Sequence, residues 1–233
     1  MTDGIETRES QPAPAPPTRR ALTRERILQA SLHLIDQQGL EAFTMRKLAQ
    51  ELGVDPMAIY RHFENKDAVL DGVADLLWEK VELPGSDTDW EALLRSTASS
   101  LRALAHAHPH AYVLLLNRQN LSLAMLRLVD ITLEQLEQAG FEPKRAREIS
   151  CTVFSYAIGY AMVELSTLLP DQSDRVAEGM ADIGRLTQVM RRVPRETPTR
   201  LVEVACRLMD CELDAQFTFG LDLMLTCLKS RPG

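Results

Sequence analysis

The residues best suited to chemistry cluster between Thr44 and Lys66, where Arg46, Lys47, Tyr60, Arg61, His62 and Lys66 combine cationic and hydrogen-bonding side chains. Groups of this kind hold phosphate oxygens and read base edges. Catalysis needs a different pattern. No Ser/His/Asp or Cys/His set, paired carboxylates or metal-ligand array occurs at usable spacing, so no catalytic residue, cofactor or metal is expected. His106, His108 and His110 lie close together, but Pro109 disrupts any regular face, and they read as turn and helix-end residues. Cys151, Cys206, Cys211 and Cys227 form no C-x-x-C pair and are expected to be reduced, packed thiols.

The basic cluster needs short, well-stopped elements to position it. Thr44 is an N-cap for a helix Met45–Leu52, which Gly53 closes. Asp55 is a second N-cap, with Pro56 at the first position of a helix Pro56–His62. Asn65 caps a further helix reaching Glu82, in which Val69, Leu70, Val73, Leu76 and Leu77 keep the 3.6-residue period. Leu48, Ala49, Leu52, Val54 and Ile59 supply a shared core. Two short helices across a tight Gly-containing turn are helix-turn-helix geometry, and the second is sized for a major groove. Its exposed positions are expected to be Pro56, Met57, Ala58, Tyr60, Arg61 and His62, while Lys66 at the next helix N-terminus suits a phosphate. Taken singly, Tyr60 and His62 could be packing residues, and Arg46 and Lys47 a solvated face. Their joint spacing favours DNA.

Periodicity elsewhere is helical throughout, so the fold class is all-α. Residues 1–19 form a Pro-rich arm expected to be disordered, either a solvated tail or a minor-groove arm. A head over 20–66 begins with a helix from Thr23 (Ile27, Ser31, Leu34 and Ile35 on one stripe) that stops at Gly39. A larger body spans 67–233. Its helices are a stripe from Trp90 to Leu104, a short apolar segment Tyr112–Leu116, Ser122–Ala139, and a long helix Pro143–Leu169. An amphipathic stretch at 174–192 and two last helices near Thr199–Met209 and Glu212–Lys229 follow. The chain segment at 170–198 fits a loop, a helix or a lid equally well.

Charge divides along the same lines. Residues 19–66 carry eight Lys/Arg against six Asp/Glu, whereas residues 67–233 carry seventeen against twenty-four. A basic segment beside an acidic body suits a protein that turns one face to phosphates. Glu164 interrupts the most apolar helix, which argues for a buried helix and against a membrane span. The polar N-terminus lacks a leader layout, so the cytoplasm is the expected compartment.

The run Leu-Gly-Val-x4-Ile-Tyr-x-His-Phe-x-Asn-Lys-x2-Val-Leu, from Leu52 to Leu70, with Thr44-Met-Arg-Lys-Leu-Ala before it, resembles the signature of the tetracycline-repressor family. The strong resemblance covers residues 22–75. A weaker one reaches the body through His108-Pro-His-Ala111, Gly140-Phe141 and Phe217-Thr-Phe-Gly-Leu-Asp-Leu223. The resemblance implies that Thr44, Met45 and Arg46 contact backbone and base edges from their helix. It implies that Pro56, Met57 and Ala58 face bases, and that Tyr60, His62 and Lys66 hold phosphates beside Arg61. The tip is poor in hydrogen-bonding groups, which shifts weight to Arg46, Arg61 and DNA shape. Tetracycline-binding members hold a magnesium–drug chelate through a His in the short helix after the His-rich turn. Leu114 and Leu115 occupy that stretch, so this ligand is not expected.

A small head cannot span two half-sites alone, so a homodimer is expected. The candidate interface is Val153, Ala157, Tyr160 and Ala161 on one helix with Phe217, Gly220, Leu221 and Met224 on the other. Gly159 and Gly220 would permit close approach, and the resemblance places a four-helix dimer bundle in the same two helices. A small-molecule effector would sit among Leu101, His108, Tyr112, Leu115, Asn117, Leu126, Phe154 and Glu164, apolar walls with a few polar fixtures. The expected function is a ligand-responsive regulator of double-stranded operator DNA. Without effector it would act as a repressor, with recognition helices ~34–36 Å apart. A helix-turn-helix adaptor controlled by a protein partner, or an activator, would share these residues.

Overall fold

Side-chain caps divide the N-terminal third into four helices. The computed structural model describes residues 21–85, 88–116, 122–168, 199–201, 203 and 212–229. The expectations for the arm 1–19, for 170–198, for Asn117 and for most of Thr199–Met209 lie outside the described residues. Helix α1 is Arg24–Gln38, α2 Met45–Leu52, α3 Pro56–Tyr60 and α4 Lys66–Glu79. Thr23, Thr44, Asp55 and Asn65 each accept a backbone N–H of the following turn, which satisfies groups a helix start leaves open. Gly53 ends α2 in the left-handed region (φ 65°), and its N–H bonds back to Ala49 and Gln50. That conformation turns the chain sharply into α3 at little steric cost for glycine alone. The third helix is shorter than its expected span, because Arg61 and His62 lie in a turn.

The body continues with α5 (Trp90–Ala107), a 3-10 turn (Tyr112–Leu116), α6 (Leu123–Gln138), α7 (Pro143–Leu168) and α8 (Leu213–Lys229). No strand occurs among the described residues. Head and body are not insulated from each other. Val73, Leu77 and Trp78 of α4 belong to one apolar core that runs from Ile27 and Phe43 to Leu101, Leu136 and Leu225. Helix α4 packs against α1 on one side and against the 3-10 turn and α6 on the other.

Helix α7 is long and apolar enough to cross a bilayer (mean hydropathy 1.2 over Pro143–Ser166). Its inner face is instead committed to protein. Ile149, Val153, Ala157, Ala161 and Leu165 are buried among α5, α6 and α8. Glu164, only 1% exposed, is met from α5 by Arg102. Two of the cysteines differ from the packed thiols expected: Cys151 and Cys227 are exposed. Each sits on the outward side of its helix, where helical periodicity and not residue type decides burial.

Candidate nucleic-acid interface and the body behind it

The turn from α2 to α3 brings Pro56, Met57 and Tyr60 to the surface, with Met57 66% and Tyr60 43% exposed. Ala58 is half-buried, and Arg46 and Arg61 are exposed. Ile59 points the other way, fully buried beside Leu48 and Phe63. The outer face therefore offers two guanidinium groups, a phenol and an apolar tip. Such a face can hold phosphates and contact thymine methyls but makes few base-edge hydrogen bonds.

Met45 corrects the expectation that it touches DNA. It is buried in the head core, because it shares its face of α2 with Leu48, Ala49 and Leu52. Thr44 is exposed, and its hydroxyl oxygen accepts from Lys47 N at 3.2 Å, so it starts α2 as well as facing outward. His62 is half-buried. Lys66 is half-buried too, and its ammonium donates to the Phe43 carbonyl at 2.8 Å and lies 5.6 Å from the Phe43 ring centroid. Lys66 thus ties α4 to the loop before α2 within the head itself.

Arg24 is a neighbour of this face that the sequence did not suggest. It donates to the His62 carbonyl and stacks over Phe63, 4.0 Å from the ring centroid. It clamps the turn after α3 onto α1. Nothing local marks it, since Arg24 and His62 lie 38 positions apart.

In the body, the two helices expected to carry a dimer contact do lie together. Tyr156 and Tyr160 of α7 donate to the Phe217 and Leu213 carbonyls of α8, each at 2.9 Å. Tyr156 stacks on Phe217 at 5.5 Å, and Gly220 leaves room for its hydroxyl. The side chains named for the interface need correction. Val153, Ala157, Ala161, Phe217 and Leu221 are at most 3% exposed in the single chain. A helix that packs inward on one stripe has only its opposite stripe to offer, and the apolar count alone did not say which stripe was which. Tyr160, Gly220 and Met224 are half-buried. The outward stripe is Ser155, Gly159 and Val163 on α7 with Phe219 and Leu223 on α8. Val163, Phe219 and Leu223 are 62%, 66% and 57% exposed.

Of the described residues expected around an effector, His108 and Glu164 line two different depressions. Leu101, Tyr112, Leu115 and Phe154 are buried, whereas Leu126 is 43% exposed on the outer side of α6 and is corrected accordingly. Burial with no hydrogen-bond partner holds the Tyr112 phenol well above its usual pKa. Among the described residues two open depressions stand out. One, of about 470 Å³, is lined by Arg102, His106, Glu164, Glu212, Leu213 and Asp214. There Arg102 grips Glu164 through two nitrogens (2.8 and 2.5 Å) and reaches Asp214 at 2.6 Å. His106 lies 3.2 Å from Glu164, and the Arg102 guanidinium lies over Phe217 at 4.9 Å. The Glu164 hydrogen bonds raise the Arg102 pKa further, so this cation never titrates. The other depression, of about 780 Å³, runs between the end of α4 and α5, from Glu79, Lys80 and Glu82 past Ser96, Ser99 and Ser100 to His108. His108 is engaged with Asp36 of α1 at 2.7 Å.

Residues 27–73 match the family described as bacterial regulatory proteins, tetR family, and residues 83–231 match the tetracyclin repressor-like C-terminal domain. The tetracycline repressor protein class C of Escherichia coli is 38% identical over 84 residues, 35% of this chain and 38% of that protein's length. The class G repressor of Vibrio anguillarum is 27% identical over 212 residues, 88% of this chain and 92% of its own. Among solved structures, the Streptomyces coelicolor TetR family protein ActR in complex with actinorhodin superposes with a TM-score of 0.71. It is 25% identical and covers 91% of this chain and 99% of its own.

Proposed function

The chain belongs to the tetR family of bacterial regulators, which are not enzymes, and we propose that it is a homodimeric repressor that a small-molecule effector releases from a palindromic operator. The observation that carries this reading is the pairing of an exposed α2–α3 face that bears Arg46 and Arg61 with a helical body of the regulatory type behind it. Pro56, Met57 and Ala58 face bases. Thr44, Arg46, Tyr60, Arg61 and His62 hold the backbone on either side, and Lys66 acts mainly by keeping α4 in place beneath them. With so few base-edge donors, discrimination rests on Arg46, on methyl contacts and on DNA deformability.

A second copy packs on the outward stripe of Ser155, Gly159, Val163, Phe219 and Leu223, whose apolar members are otherwise left in water. Gly159 has nothing within 4 Å of an added Cβ, so it leaves a shallow seat for a side chain of the partner. The dimer sets two recognition helices ~34–36 Å apart, one DNA turn. Effector binding favours a body arrangement with different head spacing, and α4, packed on both units, transmits it. The protein works in the cytoplasm, where its operator is.

A metabolite library screened by operator fluorescence anisotropy tests this function. The expected result is a compound that binds the body and raises the Kd for operator without unfolding the protein. Compounds that bind the body tightly yet never change DNA affinity would instead favour an adaptor controlled by a protein partner.

A further inference from the structure

Among the described residues, an Asp–His contact away from α4 joins α1 of the head to the corner that follows α5 in the body. The His108 Nδ1 lies 2.7 Å from Asp36 Oδ2. A carboxylate accepts only, so Nδ1 carries the proton and donates. Both side chains are largely withdrawn from water, at 18% and 23% exposure. Asp36 Oδ1 is buried with no hydrogen-bond partner. The contact is therefore only half satisfied, and a buried oxygen left unpaired weakens the closed arrangement. On the His108 side, the backbone is the corner of the body. Its N–H bonds to Leu104, and its carbonyl accepts from both Ala111 and Tyr112, which start the 3-10 turn. Any shift of that turn moves His108. Beside the pair the junction is not packed solid, because His108 ends the open depression between α4 and α5.

We propose that Asp36 and His108 form a latch that fixes the orientation of the head on the body, and that displacement of the 3-10 turn opens it. Both act as positioning residues, through the placement of the head. The inference rests on the regulator reading for its consequence, since a reoriented head matters through operator affinity, but the latch is a property of the single chain. An effector that reaches Tyr112 or Leu115 would pull the His108 corner, and the half-satisfied carboxylate would let go.

Asp36→Leu, close in volume, removes the acceptor and His108→Phe removes the donor, so the two break the pair from opposite sides. The test places spin labels at exposed Gln50 on α2 and exposed Asp130 on α6, with the four cysteines replaced by serine. Dilution into excess unlabelled protein makes each label pair report one chain. The expected result is a single narrow distance for the parent and a shifted or broadened distribution for each variant, with the double variant no further changed than either single one. Unaltered distributions in both variants would overturn the latch. In parallel, each variant should bind the duplex selected by the parent protein about fivefold more weakly or worse, the scale of an allosteric coupling, with an unchanged salt slope. Unchanged or tighter binding with a reoriented head would overturn its regulatory role. If the parent selects no sequence at all, the regulator reading fails, and the distance measurement still decides the latch.

Discussion

Replacing Gly220 by alanine should destabilise the protein, although helix preference alone says the opposite. In a helix interior alanine is favoured over glycine by about 1 kcal/mol. Here the new Cβ would lie 2.3 Å from the Tyr156 hydroxyl oxygen, 2.8 Å from Cζ and 3.1 Å from Cε2. Carbon atoms do not sit that close, so the ring must leave. Its departure breaks the hydrogen bond to the Phe217 carbonyl, with a net cost of about 1 kcal/mol. It also loses the near-parallel stack on Phe217, at 18° between planes, for about 0.5–1.5 kcal/mol more. Set against the propensity gain, Gly220→Ala should lose about 1 kcal/mol in total. Urea denaturation followed by far-UV circular dichroism measures this, at one fixed protein concentration because the proposed dimer would couple stability to concentration. In a Tyr156→Phe background the closest clash is gone, so the same substitution should cost less, and the difference is the coupling between the two sites. A Gly220→Ala protein as stable as its parent in both backgrounds would refute the close-packing argument.

Arg102→Met removes the guanidinium that grips a carboxylate 1% exposed, and should cost about 3 kcal/mol by the same denaturation assay. Phe219→Glu places a charge on the outward stripe of α8 and should give a folded monomer in sedimentation velocity, with operator binding lost. Arg61→Ala should weaken binding to all sequences and lower the salt slope by about one, whereas Lys66→Met should mainly lower the thermal stability of the head through the lost Phe43 contact. The Glu91 pKa is lowered by its hydrogen bond from Lys229, then by Arg95. Its contribution is therefore fully present above the unfolded carboxylate value of 4.5 and is lost as pH falls through the folded value. Acid titration of stability should show this inflection reduced in Lys229→Met.

The head was legible because its signals are local. Thr44, Gly53, Asp55 and Asn65 are caps whose partners lie two to four residues away, and each acts as its residue type predicts. Met45 sits next to the cap between two outward-facing residues, yet the stripe it shares with Leu48 and Leu52 turns it inward. In the body the helices were readable but their facing was not. Helix α7 carries apolar residues on both sides, so Val153 and Val163 look alike in sequence, and only tertiary packing separates a 1% exposed residue from a 62% exposed one. Contacts such as Arg24 to His62 and Asp36 to His108 join residues far apart, and no periodicity encodes them. The effector wall was the least legible of all, since buried Leu101 and Tyr112 have the composition of any helical core.

Selection of binding sites from random duplex DNA, with the parent protein and with Tyr60→Ala run side by side, tests the central claim most directly. The account predicts a two-fold-symmetric sequence with half-sites one helical turn apart, recovered by the parent and bound more weakly by Tyr60→Ala. Recovery of no common sequence, with binding that only falls as salt rises, would contradict it.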